Sequence, residues 1–177
     1  KSPARKDANA TVTAKPEPAP ALVAIAPPAA TLPKTLSPAA LAQQHNEEFK
    51  AAAADRIFFN RSSAELSPAD VHVLRLQAQW LLRRKDILLW LEARADDGDS
   101  AEIDAALALE RGAAVKSLLV KEGIEAKRIR VAVIGRDRPI AFCDKLVARA
   151  RQLLDPAAID AAEACAAHNR SVVTVVG

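Results

Sequence analysis

The chain of 177 residues contains no Tyr and no Met, and only two Trp and four Phe. Proteins that hold single-stranded nucleic acid stack bases on aromatic rings set among basic charges. So sparse an aromatic set argues against that class, and a net charge of +3 leaves only a weak attraction to anionic polymers. Arg83-Arg84-Lys85 and the group Lys127, Arg128, Arg130, Arg136 and Arg138 are therefore read as solvated basic edges, and no nucleic-acid partner is expected. No apolar run reaches the roughly 18 residues that a membrane-spanning helix needs. The sequence starts at Lys1 with neither Met nor a hydrophobic leader, as expected of a processed chain. A signal peptide, a lipid-attachment Cys or a transmembrane anchor upstream would each be compatible with that start.

Catalytic and metal-ligating residues are equally scarce. The three histidines, His45, His72 and His168, have no metal-ligand spacing, and the two cysteines do not form a Cys-x-x-Cys pair. No Ser-His-Asp or Cys-His arrangement is readable, so neither an enzyme nor a cofactor is expected. Cys143 and Cys165 flank a single helical excursion, which points to one disulfide, with a pair of buried thiols as the alternative. Closing a loop of that size stabilises by about 3 kcal/mol in the chain-entropy model. A disulfide would also place the chain in an oxidising compartment.

What the chain does hold is unevenly distributed. Eight of its eleven prolines lie within the first 38 residues, among Ala, Lys and Thr. Residues 1–36 are read as a flexible tether, because such a composition cannot bury enough apolar surface to offset its ordering entropy. Residues 37–54 are read as a helical lead-in that begins at Ser37-Pro38, and residues 55–177 as one domain. In that domain Arg56-Ile57-Phe58-Phe59 is a strand candidate, and Ser67-Pro68 opens a helix with Val71, Leu74, Ala78 and Leu81 on its buried stripe. The apolar run at residues 87–91 has the length of a buried strand, and Asp97-Gly98-Asp99-Ser100 then turns into a helix that stops at Glu122-Gly123. Residues 128–133 alternate as a strand with one wet face. Two helical segments follow, interrupted at Asp155-Pro156, and residues 171–176 form the closing strand. This order, strand, helix, strand, helix, strand, helical insert, strand, predicts an α/β sandwich of two layers: a four-stranded mixed sheet with helices on one face.

One residue breaks the pattern of the third helix. Its apolar positions are Ile103, Leu107, Val115, Leu118 and Leu119, and the missing turn is filled by Arg111. A guanidinium facing a half-buried surface needs partners, and Asp96, at the end of the preceding strand, is the nearest carboxylate along the chain. Two readings stay open. Asp96 and Arg111 are a structural pair that stitches the turn to the helix, or they hold a zwitterion, Arg111 taking its carboxylate and Asp96 its ammonium.

Several landmarks, in order, resemble the OmpA-like domain found in OmpA, the Pal lipoprotein and MotB. Phe59-Asn60 through Ala64-Glu65-Leu66-Ser67-Pro68 is similar to that family's opening strand and first turn. Ala93-Arg94-Ala95-Asp96 stands where the family carries its binding Asp, and Arg111 follows Asp96 at the family's spacing of fifteen residues. Val115, Leu118, Gly123 and Ile124 continue the pattern, Gly135 and Pro139 match its Gly-x-x-x-Pro turn, and Asn169-Arg170 its Asn-Arg before the last strand. The two-cysteine insert between Pro139 and Asn169, residues 143–165, resembles the one in OmpA.

The resemblance implies a non-catalytic domain that binds peptidoglycan through the diaminopimelate of its stem peptide. Arg111 would take the side-chain carboxylate, Asp96 would orient the polar end, and main-chain N–H groups at Asp97 to Ser100 would add donors. It also implies the periplasm of a Gram-negative bacterium, with the tether leading to an outer-membrane anchor or an envelope complex. Three positions depart from the family pattern. Arg94 replaces a His or Thr, and it would either compete for Asp96 or add an anion contact. Asp104 replaces an Asn, cannot donate, and would repel a carboxylate; Ser171 replaces a second Arg. These departures keep open a second reading, a scaffold or protein-interaction subunit of an envelope complex that retains the fold and no longer binds peptidoglycan.

Overall fold

The computed structural model describes residues 36–96 and 100–177. The tether expected at residues 1–36 lies outside them except for Leu36, as do Asp97, Gly98 and Asp99 of the turn. Among the described residues no helix is long and apolar enough to cross a membrane.

Helix starts follow local side-chain chemistry. Ser37 accepts from the Ala40 N–H at the head of α1 (Pro38–Ala52). Ser67 and Asp70 form a reciprocal capping box at α2 (Pro68–Leu82), with Ser67 N–H donating to Asp70 Oδ2 at 2.9 Å. Ser100 accepts from Ile103 N–H to open α3 (Ala101–Lys121), so the cap is made by Ser100 itself. The helix closes at Glu122, followed by Gly123 at φ +100°, a left-handed value that favours glycine. In the insert, α4 (Asp144–Leu153) ends at Leu154, and Asp155 with Pro156 then caps α5 (Pro156–Ala167).

The strands β1 (Arg56–Phe58), β2 (Leu89–Arg94), β3 (Ile129–Gly135) and β4 (Ser171–Val176) form one sheet in the order β1-β4-β2-β3. The central pair β2 and β4 is antiparallel and β2 with β3 parallel; Leu91 lies opposite both Thr174 and Val131. This is the expected mixed four-stranded sheet. β1 is short and leaves the far end of β4 unpaired on one side. Asn46 of α1 fills that gap: its Oδ1 accepts from Val176 N–H at 3.0 Å and its Nδ2 donates to Val176 O. An amide side chain thus substitutes for a neighbouring strand and covers an edge that would otherwise be open. Phe49 of the same helix is fully buried edge-on against Trp80. The lead-in is therefore part of the core.

Two elements differ from their expected packing. The run at residues 87–91 is buried on one face only: Ile87, Leu89 and Leu91 are in the core, while Leu88 and Trp90 are exposed. With α2 and α3 covering a single face of the sheet, alternate residues of β2 turn outward. The buried face of α3 keeps Arg111, Val115 and Leu119 of its expected stripe, with Leu107 and Leu118 partly buried against the core, but not its first position. Ile103 is 55% exposed, whereas Asp104, Ala108, Arg111, Gly112, Val115 and Leu119 face inward. Close approach explains this, because a Cβ on Gly112 would lie 2.5 Å from Val131 Cγ1 and 3.3 Å from Ala93 Cβ. At Gly112 the helix lies close against the sheet, and Ile103 is left on the flank.

Arg128 also leaves the group read as a solvated basic edge. It is buried, and its guanidinium donates to the carbonyls of Ile87 (2.9 Å), Leu81 (3.2 Å) and Arg84 (2.6 Å). Leu81 belongs to the last turn of α2 and Arg84 lies just past its cap, where a helix lacks internal donors and carries negative dipole charge.

Candidate functional site

The site forms where the C-terminal end of β2, the start of α3, the loop after β3 and the disulfide-closed insert meet. Arg111 projects from α3 into the protein and is fully buried. Its Nε donates to Ser63 O at 2.9 Å, one terminal nitrogen to Asn60 O at 3.0 Å, and the other to Arg94 O at 3.2 Å. The Phe59 ring lies 5.3 Å from the guanidinium carbon. Arg111 thus ties α3 to the loop after β1 and to the end of β2. These main-chain carbonyls are among the partners that a buried cation needs.

Asp96 lies just past β2 and is half-buried. Its Oδ2 accepts from Asn169 Nδ2 at 3.0 Å. Asn169 is a buried hub: Oδ1 accepts from the N–H groups of Ile140 and Ala141, both at 2.9 Å, and Nδ2 also donates to Ala141 O at 2.9 Å. Two main-chain donors on one atom fix which end of the amide is oxygen. The amide therefore orients Asp96 and holds the loop after β3 against the start of β4. The adjacent insert is closed by the Cys143–Cys165 disulfide, with Cα atoms 5.8 Å apart, so the disulfide alternative holds.

The remaining candidates spread around this centre. Arg94 is directed to Glu92, which it meets at 2.6 Å, and to the carbonyls of Glu92 and Arg138. Asp104 is fully buried and ion-paired with Arg136, whose Nε approaches Oδ2 at 2.6 Å. Its charge, expected to repel a carboxylate, is compensated within the domain. Nearby, Glu102 at the head of α3 titrates below the ordinary Glu range, first through the helix-terminal main-chain N–H and then through Ser100 and the charge of Arg136. Arg170 is buried against Glu163 of α5 at 2.8 Å.

Asp96 lies between two clefts. One, of about 410 Å³, is lined by Arg136, Asp144, Arg151 and Asn169; the other, of about 450 Å³, by Arg61, Arg151, Glu163 and Arg170. Asp96 and Arg151 line both. Arg61 and Arg151 escape a sequence reading because surface arginines in a loop and on an amphipathic helix carry no distinguishing pattern. Arg136 stood out only as one of a basic group.

The sequence profile of the OmpA family matches residues 58–152, more than half of the chain. The chain belongs to the OmpA family. Among its relatives, the peptidoglycan-associated lipoprotein of Agrobacterium fabrum is 30% identical over 131 residues, covering 74% of this chain and 64% of that protein. That of Mesorhizobium japonicum is 33% identical over 100 residues, covering 56% and 60%. The chain thus spans less than two thirds of the length of these two relatives. The crystal structure of the Burkholderia pseudomallei peptidoglycan-associated lipoprotein superimposes with a TM-score of 0.56 at 20% identity, over 70% of this chain and 90% of that one. The C-terminal domain of Helicobacter pylori MotB superimposes with a TM-score of 0.55 at 18% identity, over 70% and 84%. At such identities the likeness is one of fold, and it is the OmpA-family sandwich described above.

Proposed function

We propose that this OmpA-family domain binds peptidoglycan without catalysing a reaction. In this reading it grips the diaminopimelate of the stem peptide and anchors an envelope protein or complex to the cell wall. The observation that carries the proposal is Asp96, a half-buried carboxylate held by a buried Asn169 where two arginine-bearing clefts meet. A carboxylate so placed suits an ammonium, and the surrounding arginines suit the carboxylates of the same ligand. The names of the relatives support peptidoglycan as its source. They also support a periplasmic location in a Gram-negative envelope, with residues 1–36 joining the domain to an outer-membrane anchor or partner complex. At about 3.1 Å per residue in a polyproline-like conformation, such a tether would reach on the order of 100 Å.

One observation favours the second reading, a scaffold that keeps the fold and has lost the ligand. Arg111 is fully buried and donates to three main-chain carbonyls, so a ligand carboxylate would reach it only if the residues that cover it moved. Co-sedimentation with purified sacculi separates the two. The clamp predicts that the wild-type chain pellets with sacculi and that Asp96→Asn lowers the bound fraction. A wild-type chain that stays in the supernatant leaves the scaffold reading standing.

A further inference from the structure

The sheet has a second face, turned away from α2 and α3. Alternation along the strands places Trp90, Glu92 and Arg94 of β2 there, with Arg56 of β1 and Arg130 of β3. The two ends of this face differ. Toward the end of β2 the loop after β3 lies over it, where Arg94 is buried and its Nε donates to Arg138 O at 3.1 Å. At the other end Trp90 is 40% exposed and Leu88 44%. Trp90 is one of two tryptophans in an aromatic-poor chain, and it stands opposite Val175 on one side and Arg130 on the other. Arg56 and Arg130 therefore flank the tryptophan from the two edge strands. Neither arginine has an ion-pair partner among the described residues, and the Arg56 Nε is buried there without a hydrogen-bond partner. Glu92, the one acid on this face of the four described strands, is already taken by Arg94 at 2.6 Å.

We infer that the open half of this face docks an extended acidic segment of a partner protein, with an apolar side chain covering Trp90 and a carboxylate on either side meeting Arg56 and Arg130. An exposed tryptophan between arginines has the composition of a protein-interface centre. Two unpaired cations beside it call for anions. Three strand spacings, about 14 Å, separate the edge strands. About four residues of extended chain span the same distance, and alternate residues of such a chain lie on one side. The segment that fits is therefore acid, spacer, apolar, spacer, acid, laid across the strands. Two other occupants fit less well. In an isologous contact a second copy would set these unpaired arginines against its own. A flat bilayer would meet the loop that covers the end of the face first. The surface is independent of the ligand site, since Trp90 lies six residues back along the chain from Asp96, about 20 Å in an extended strand.

The test uses the full 177-residue chain and three capped synthetic peptides: Ser-Glu-Thr-Leu-Thr-Glu-Ser, its counterpart with Gln for both Glu, and its counterpart with Lys for one Glu. Binding is followed by NMR through the backbone amides of β2 and β3. The wild type should bind the Glu peptide about fivefold more tightly than the Gln peptide, the scale of two exposed ion pairs. That difference should shrink as salt is raised. Trp90→Ala should lose binding of all three. Arg130→Glu should reverse the order and prefer the Lys-containing peptide to the Glu peptide, a switch that a structural role for Arg130 would not produce. Arg130 is exposed, and thermal melts check that each variant is folded. If the wild type binds the three peptides within about twofold of one another, or binds none at millimolar concentration, the inference is overturned. It is equally overturned if the wild type forms a concentration-dependent dimer, or pellets with phosphatidylglycerol vesicles, and Trp90→Ala abolishes it. The occupant is then a second copy or a bilayer.

Discussion

Asp104 and Arg136, 32 residues apart in sequence, close on each other at the head of α3. The acid is fully buried; the arginine comes from the loop after β3 and also donates to Ser100 O at 3.2 Å. The pair therefore joins the helix start to the loop that Asn169 holds from the other side. Because the carboxylate has no solvent to fall back on, the two residues form one unit.

Removing only the cation should be costly. Arg136→Gln leaves a buried carboxylate without its charged partner, and the expected loss is about 2–3 kcal/mol, below the figure for fully buried pairs because Arg136 is partly solvated. Asp104→Asn in the same chain should restore most of it. Urea denaturation of the two single variants and the double checks this, and additive losses in the double would show that the pair is not coupled.

Arg111→Ala should behave as a folding variant. It would remove the donor from the carbonyls of Asn60, Ser63 and Arg94 and leave a cavity beside Phe59. The expected destabilisation is about 3–5 kcal/mol. A denaturation midpoint within 1 kcal/mol of wild type would instead mean that these bonds are replaced by water. Reduced sacculus binding by this variant therefore speaks for the site only after correction for the folded fraction.

Helix propensity and packing make opposite predictions for Gly112. In an exposed helix Gly→Ala gains about 1 kcal/mol. Here the new methyl would meet Val131 and Ala93, and overpacking costs about 1–3 kcal/mol. The expected result is a net loss, reversed in sign when Val131→Ala makes room. Thermal melts of the single and double variants decide it, and a more stable single variant would show that α3 can lift off the sheet cheaply.

The same glycine shows where sequence reading stopped. Ser37, Ser67 and Asp155 announce their helices because capping is local, and the described helix and strand order followed from it. The stripe of α3 was legible at Arg111, Val115 and Leu119, but not at its first turn, where Ile103 is exposed and Asp104 buried, nor at Gly112, whose close approach to Val131 carries no hydrophobic signal. Hydrophobic size marks a face only when the neighbouring layer has room for it. Arg128 and Asp104 were opaque for a related reason: their partners, the carbonyls ending α2 and Arg136, are distant in sequence and carry no local signal. Arg111 stood out by its misfit, but its bonds to the carbonyls of Asn60, Ser63 and Arg94 join segments distant in sequence and required the fold.

The disulfide gives the last prediction. Cys143 immediately precedes α4 and approaches the Asn169 amide at 4.0 Å, so the bond holds the insert beside the residue that orients Asp96. With a sequence separation of 22, its loss should cost about 3 kcal/mol in unfolded-state entropy. The sheet and α1 to α3 do not depend on it, so Cys143→Ser/Cys165→Ser should fold with a lower melting temperature and its largest gain in amide exchange across α4, α5 and residues 139–141. Asp96 should then lose its fixed orientation, and sacculus binding should weaken even at temperatures where the protein remains folded. A double variant that melts lower but keeps wild-type exchange in the insert and wild-type binding would show that the disulfide stabilises the chain without shaping the site.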